Sequence, residues 1–460
     1  MAPRLLSATL LPMLLSVTLL LLQASPSSAA ISPADLTMSE SVTDTASSGV
    51  TTADGVSTAD GVSTADGVTT ADGVSTADGV STADGVTAAD GVTTSGVTAA
   101  DRVITAARPK AGASRCNMNA GRWVRTRWQP RRYTGVSCKS IDSTYNCENN
   151  GRKNLKYLDY EWRIPGCNLK RFDPSSFLAV LRNKVLMIVG DSYALNLHAS
   201  LRCLVESVAV TQNFNGSLFK TGIPARGFRV PSHNTTIIRI ASAFLLYGEP
   251  DGERSVKSTW TVWLDRVNPE WADLLPFTDY VVMSTGYWYT SAREEKRHYL
   301  LSDNNSSQLA WTPDQRTTMQ TALTTLTNHF SSIKYSGLPM FLTYTSSHYG
   351  FELAGSEAAR GAQYNCTDAW RPIGWRQVDR REWAVSDMTT RNAQVQILRK
   401  ARNFKILDIT YATLFRPDAH LKNFNKGDGG FDCAHWCVPG VPDMWSDLVY
   451  NYVTNHAGRL

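Results

Sequence analysis

Between Thr52 and Asp101 the chain repeats the hexapeptide Thr-Ala-Asp-Gly-Val-Ser/Thr almost without variation. A six-residue period can build a coil of a β-helix. Here one Val per repeat is the only sizeable apolar group, too little surface to offset the entropy of ordering the rest. Disorder is the expectation, either as a flexible stem or as a neutral expansion of a short repeat. Globular reasoning therefore starts at about Cys116, and the roughly 340 residues from there suit one large domain. No Pro/Gly/Ser-rich break divides them.

Ahead of the repeat, Arg4 precedes an uncharged apolar run from Leu5 to Leu22, followed by Ser25-Pro26-Ser27-Ser28-Ala29-Ala30. About 18 apolar residues just span a bilayer, whereas small residues after such a run suit cleavage. Residues 1–30 thus read as a signal anchor or a signal peptide, 31–115 as the low-complexity stem, and 116–460 as the working domain. With Arg4 on the short side, the bulk of the chain is expected in the lumen of the secretory pathway.

Cysteine usage fits that compartment. Cys116, Cys138, Cys147, Cys167, Cys203, Cys366, Cys433 and Cys437 all fall in the globular part. An even set in a lumenal chain points to disulfides, and the spacings lack Cys-x-x-Cys knuckles, so no metal is expected. Asn215, Asn234, Asn304, Asn305 and Asn365 each begin an Asn-x-Ser/Thr sequon and are expected glycosylation positions. A net charge of +5 with no block of like charges argues against a nucleic-acid partner.

From Cys116 to Cys167 little periodicity is sustained, as in a disulfide-stapled, loop-rich lobe. Lys184 to Val189 is then a continuous apolar run of strand length, Gly190 breaks it, and Leu197, Leu201, Leu204 and Val205 recur at helical spacing. Further apolar runs at 237–240, 280–283, 339–344 and 405–409 alternate with candidate helices at 313–330 and 390–402. This is the pattern of an α/β domain, a three-layer α/β/α arrangement on a mostly parallel sheet, whose active residues gather at the carboxyl ends of strands. Gly190-Asp191-Ser192 follows one such end.

A serine hydroxyl needs a base within reach and a third group to fix that base's tautomer. At a helix start Ser192 would also offer backbone N–H groups to a developing oxyanion. Asp-Ser is equally an ordinary helix cap, and Asp432-Cys433-Ala434-His435 could be polar loop residues beside a disulfide. Together, a strand-Gly-Asp-Ser-helix early in the domain and Asp-x-x-His near its end point to Ser192 as nucleophile, His435 as base and Asp432 as its orienter.

At this point the residues carry a resemblance. Asn149-Asn150-Gly151-Arg152-Lys153 through Tyr157, Trp162, Pro165 and Cys167, then Gly190-Asp191-Ser192, then Asp432 to Trp445, resemble the plant trichome birefringence-like family. The likeness spans about residues 116–455. It implies a Golgi enzyme of SGNH/GDSL-esterase-related fold, held in the membrane by a single type II anchor or secreted if the leader is cleaved. Such enzymes pass an acetyl group through an acetyl-serine to a cell-wall polysaccharide, here a hemicellulose such as xylan or xyloglucan. No bound cofactor is implied, only an acetyl donor, acetyl-CoA or another carrier. The resemblance also implies the pairings Cys116–Cys167, Cys138–Cys203, Cys147–Cys437 and Cys366–Cys433. An acetyl esterase on the same fold and a non-catalytic cell-wall-binding protein are the other readings.

Three departures from the family pattern bear on substrate contacts. Leu195 stands where Arg is usual, Gly286-Tyr287-Trp288 replaces Gly-His-Trp, and Leu342 to His348 replaces Arg-Thr-Phe-Ser-Pro-x-His. Asn196 and Gly286 are candidate oxyanion contacts beside the Ser192 N–H, and His348, just past a strand end, is a candidate substrate contact. Trp288 and Trp436 are candidates for stacking on sugar rings. Arg416-Pro417-Asp418-Ala419-His420 matches the family as well, and its expected part is architectural.

Overall fold

The computed structural model describes residues 117–457 less 127–128, 219–220, 253–257, 291–296, 304–305, 311–313, 350–365, 367–368, 379–381, 402 and 423–430. The leader, the repeat and Cys116 lie outside the described residues, as do the sequons at Asn304, Asn305 and Asn365. Asn215 and Asn234 are exposed.

Alternation along one strand decides the central layer. In Val185–Gly190, Leu186 and Ile188 enter one hydrophobic cluster, and Met187 and Val189 enter another; all four are fully buried. Each such side chain contributes about 1.5–3 kcal/mol on burial, and a strand apolar on both faces needs cover on both. The strand is β1 of a seven-stranded sheet with β2 (Gln212–Ser217), β3 (Pro224–Val230), β4 (Thr235–Ala241), β5 (Tyr280–Ser284), β6 (Leu338–Leu342) and β7 (Lys405–Leu407). Their order is β7-β6-β5-β1-β4-β3-β2. Neighbours from β7 to β4 run parallel, and β3 and β2 complete an antiparallel edge.

Helices supply the cover. α1 (Pro174–Val180), α2 (Ser192–Glu206) and α5 (Val441–Ala457) pack on the Leu186 and Ile188 face through Phe177, Leu197, Leu201, Trp445 and Val449. α3 (Gln315–Ser332) and the last turns of α4 (Glu382–Leu398) cover the other face through Met319, Leu323, Leu326, Ala393 and Leu398. The three-layer α/β/α domain read from the sequence is the one observed.

Three features differ from expectation. The edge strand β2 buries only Phe214 and carries polar residues elsewhere, so it leaves no alternating signal. A second sheet, Leu246–Pro250, Trp260–Val267, Arg297–Asp303 and Ser306–Ala310, went unforeseen. The helix expected at 390–402 spans Glu382–Leu398, because its earlier turns bury Asp387, Thr390 and Arg391 along with Ala384 and present no apolar stripe.

The N-terminal lobe holds one antiparallel hairpin, Arg122–Arg125 with Tyr160–Arg163, and is otherwise loop and single turns. Cys138–Cys203 ties it to α2, and Cys147–Cys437 ties it to the segment before α5. Cys366–Cys433 is the third bridge. Three of the four implied pairings are therefore present, and the fourth involves Cys116, outside the described residues. Among the described residues no helix is long and apolar enough to cross a membrane.

Candidate active site

Parallel strands bring their carboxyl ends to one edge, and there β1 turns into α2 through a glycine that nothing else can replace. Gly190 has φ +153°, and a Cβ on it would lie 2.0 Å from the Ser284 carbonyl oxygen of β5. The Asp191 N–H donates to that carbonyl at 3.2 Å, and the Ser242 N–H donates to the Gly190 carbonyl at 2.8 Å. Asp191 then caps α2, accepting the Tyr193 N–H at 3.1 Å and the Ser284 hydroxyl at 3.3 Å. Burial pushes its carboxyl up to about 6 against the pull of these donors. Ser192, half-buried, is the first helical residue, where unpaired N–H groups and the positive end of the dipole coincide.

The partner of Ser192 arrives from the far end of the chain. β8 (His420–Lys422) and β9 (Phe431–Trp436) form an antiparallel hairpin. From β9, His435 Nε2 lies 2.6 Å from Ser192 Oγ, and its Nδ1 donates to Asp432 Oδ2 at 2.5 Å. Asp432 Oδ1 accepts the N–H groups of Ala434 (2.9 Å) and His435 (3.0 Å), and the Tyr349 hydroxyl at 3.4 Å. Burial would raise this carboxyl, but His435 and the donors outweigh it and hold it at about 2. A charged Asp432 keeps the proton on Nδ1 and turns the Nε2 lone pair to the serine hydroxyl.

Three expected contacts prove to be buried in or against that hairpin. Asn196 is fully buried; its Nδ2 donates to the Trp436 carbonyl at 3.0 Å and its Oδ1 accepts the Trp436 N–H at 3.2 Å. That double bond to the main chain corrects the oxyanion role expected of it. His348 is also fully buried, with Nε2 3.1 Å from the Leu414 carbonyl oxygen and Nδ1 sharing a hydrogen bond with His420 Nε2 at 2.6 Å. His420 in turn donates from Nδ1 to the His435 carbonyl at 2.8 Å. Burial lowers His348 to about 4 and His420 well below its ordinary value. His348 thus stands behind the site, out of reach of a substrate. Trp436, fully buried and stacked on His420 at 4.0 Å, offers no face to a sugar.

Gly286 fares differently. Gly190 is in register with Ser284, so Ser192 and Gly286 each lie two residues beyond paired positions on adjacent parallel strands. Among the described residues the N–H groups of Ser192 and Gly286 meet no acceptor. Gly286 has φ +153°, and a Cβ would meet the Tyr344 ring at 2.8 Å. Trp288 is half-buried against Phe244, ring centres 6.1 Å apart. Leu195 is buried in the α2 core.

Sequence reasoning missed the rings around His435. Tyr193 lies 5.8 Å from it and Tyr145 6.2 Å, centre to centre. Tyr193, adjacent to Ser192, was open to inference from position alone; Tyr145 carried no local signal. Arg416 and Asp418 are the buried ion pair of the expected architectural segment, 2.7 Å apart, and Arg416 also lies over Trp123 of the N-terminal lobe. Among the described residues no cluster of His, Cys, Asp and Glu could hold a metal ion.

Residues 169–452 match the GDSL/SGNH-like acyl-esterase family found in Pmr5 and Cas1p, and residues 114–168 match the PMR5 N-terminal domain. Xyloglucan O-acetyltransferase 3 of Populus trichocarpa is 30% identical over 366 residues, 75% of this chain and 87% of that protein. Protein trichome birefringence-like 26 of Arabidopsis thaliana is 30% identical over 373 residues, 76% of this chain and 79% of its own. Xyloglucan O-acetyltransferase 4 of Populus trichocarpa is 30% identical over 369 residues, 76% and 83% of the two chains.

Proposed function

Because the chain belongs to the GDSL/SGNH-like acyl-esterase family found in Pmr5 and Cas1p, we propose that it transfers acetyl groups, through an acetyl-Ser192 intermediate, to a hydroxyl of a cell-wall hemicellulose. Relatives named as xyloglucan O-acetyltransferases favour xyloglucan over xylan as the acceptor. The observation that carries the reading is the continuous line from Ser192 Oγ through His435 to Asp432, at 2.6 and 2.5 Å.

In the first half-reaction His435 Nε2 takes the hydroxyl proton as Ser192 Oγ attacks the acetyl carbonyl carbon of the donor, acetyl-CoA or another acetyl carrier. The carbonyl oxygen becomes an oxyanion, met by the N–H groups of Ser192 and Gly286 and by the dipole of α2. Collapse expels the donor's leaving group, which takes the proton from His435. In the second half a sugar hydroxyl gives its proton to His435 Nε2 and attacks the acetyl-serine carbonyl. Serine leaves with that proton, and the sugar keeps the acetyl group. Asp432 stays ionised throughout and stabilises the imidazolium.

The compartment belongs to the same reading. The apolar run at Leu5 to Leu22 would anchor the protein in the Golgi membrane, the repeat would space the domain from it, and Asn215 and Asn234 would carry glycans in the lumen. Disulfides among the described residues support an oxidising setting.

The test incubates the full chain with an acetyl donor and xyloglucan, xylan, mannan and pectin oligosaccharides, reading acetyl esters by mass. Transfer to a hemicellulose, lost in Ser192→Ala, is the expected result. Release of acetate from acetylated oligosaccharides with no transfer to any acceptor would overturn it in favour of an esterase.

A further inference from the structure

Across β3 and β4, Arg226 is directly opposite Arg239 and Phe228 opposite Ile237. Phe228 and Ile237 belong to the core beneath α2, so both arginines stem from that same face, one step nearer the carboxyl edge of β4. Arg239 is also in register with Ile188 of β1, two residues before Gly190. From above, α2 brings down His198, whose ring meets Phe228 at 5.4 Å, and Arg202, whose guanidinium lies 5.5 Å from the same ring.

Two groups of this patch lack partners among the described residues. Arg202 is satisfied by Glu206 and Asn213, each at 2.8 Å. Arg239, partly buried, finds no acceptor for its guanidinium among the described residues, and His198 Nε2 is buried without a partner. Burial lowers His198 well below its ordinary range, and Arg239 and Arg202 lower it further, so positive charge rests on the arginines. The carboxylate acting on Arg239 is Asp142, already capping the Thr144 N–H at 2.9 Å. Like charges opposite each other in a sheet are destabilising, and a half-desolvated guanidinium without a partner is costly. An anion relieves both.

The patch also adjoins the reacting atoms. Arg239 acts electrostatically on Tyr145, whose ring lies 6.2 Å from that of His435.

We infer that Arg239, flanked by Arg226 and His198, is an anion-binding site beside Ser192 that takes a carboxylate or phosphate carried by a substrate. Only the identity of the molecule bearing the anion rests on the acetyl-transfer reading: a uronic acid on the acceptor, or a phosphate on the donor.

Calorimetric titration of the full chain at low salt tests this with three probes: a xylo-oligosaccharide bearing glucuronic acid, the same oligosaccharide without it, and coenzyme A. One anionic probe should bind about tenfold tighter than the neutral one, as a charge-assisted pair warrants. Arg239→Gln should abolish that preference and Arg239→Lys should retain most of it, and the probe that binds tells acceptor from donor. Equal or absent binding of all three probes by the parent chain overturns the proposal, as does a preference that survives in Arg239→Gln. Ser192→Ala should bind like the parent. An intact preference in a parent chain that transfers no acetyl group to any acceptor would sink the acetyl-transfer reading and leave the site standing.

Discussion

The two halves of the candidate site are held in opposite ways. The Ser192 turn is fixed by its immediate surroundings: a parallel strand on either side of β1, a glycine pressed on Ser284, and a capping Asp191 next in sequence. The His435 hairpin has only a short ladder of its own and hangs on remote groups: Cys147, Cys366, Asn196 and His348. A serine at the end of a buried central strand needs little help, whereas a histidine on a short two-stranded hairpin must be tethered to reach hydrogen-bond distance.

The comparison predicts that either half, chemically emptied, stops the reaction. Ser192→Ala and Asp432→Asn should each lower acetyl transfer about 10⁴-fold, with the melting temperature nearly unchanged in Ser192→Ala. Retention of a tenth of the activity by either would mean that the two halves do not work as one site. Stability should distinguish them next. Gly190→Ala forces a methyl into a backbone carbonyl, so a loss of about 2–4 kcal/mol is expected in denaturant melts. Comparable damage at the hairpin requires cutting a staple: Cys147→Ser, opening a closure across 290 residues, should cost about 2–5 kcal/mol. If Gly190→Ala were neutral, the turn would be looser than its packing indicates.

The two halves also carry acids displaced in opposite directions. Asp191 is raised from 3.8 to about 6, so the folded state holds its proton longer, and stability falls as pH rises across that window. Asp432 is lowered to about 2, so its contribution is complete above 3.8 and is lost as pH falls toward 2. Each is worth about 2–3 kcal/mol. Chemical melts from pH 2 to 7 should therefore lose their slope above pH 4 in Asp191→Asn, and below pH 4 in Asp432→Asn. A slope unchanged in either variant breaks the contrast.

The same difference set what was legible in the sequence. The Ser192 half lies in a few consecutive residues, and a strand, a glycine and a helix at proper spacing are local signals. The doubly apolar β1 run and the β/α alternation likewise disclosed the three layers. Asp432 and His435, three residues apart, were legible as a pair, and the staples Cys147–Cys437 and Cys366–Cys433 only through a family pattern, because eight cysteines pair in many ways. Asn196 and His348 were picked out, yet their work was misjudged. Sequence places Asn196 one turn after Ser192, but only the fold brings Trp436 against it, 240 residues later. β2 escaped because a polar edge strand has no alternation to display.

Asn196 is also where the comparison can be probed most gently, since its side chain is rooted in the first half and grips the main chain of the second. Asn196→Ala leaves the Trp436 N–H and carbonyl unpaired in a buried place, a loss of about 1–3 kcal/mol in stability. His435 is the residue before Trp436, so its ring should spend less time at 2.6 Å from Ser192. Asn196 and Trp436 are both fully buried, so the expected signature is a kcat about tenfold lower with KM unchanged. A raised KM at normal kcat would instead return Asn196 to the substrate-contact role that its buried, doubly bonded amide argues against.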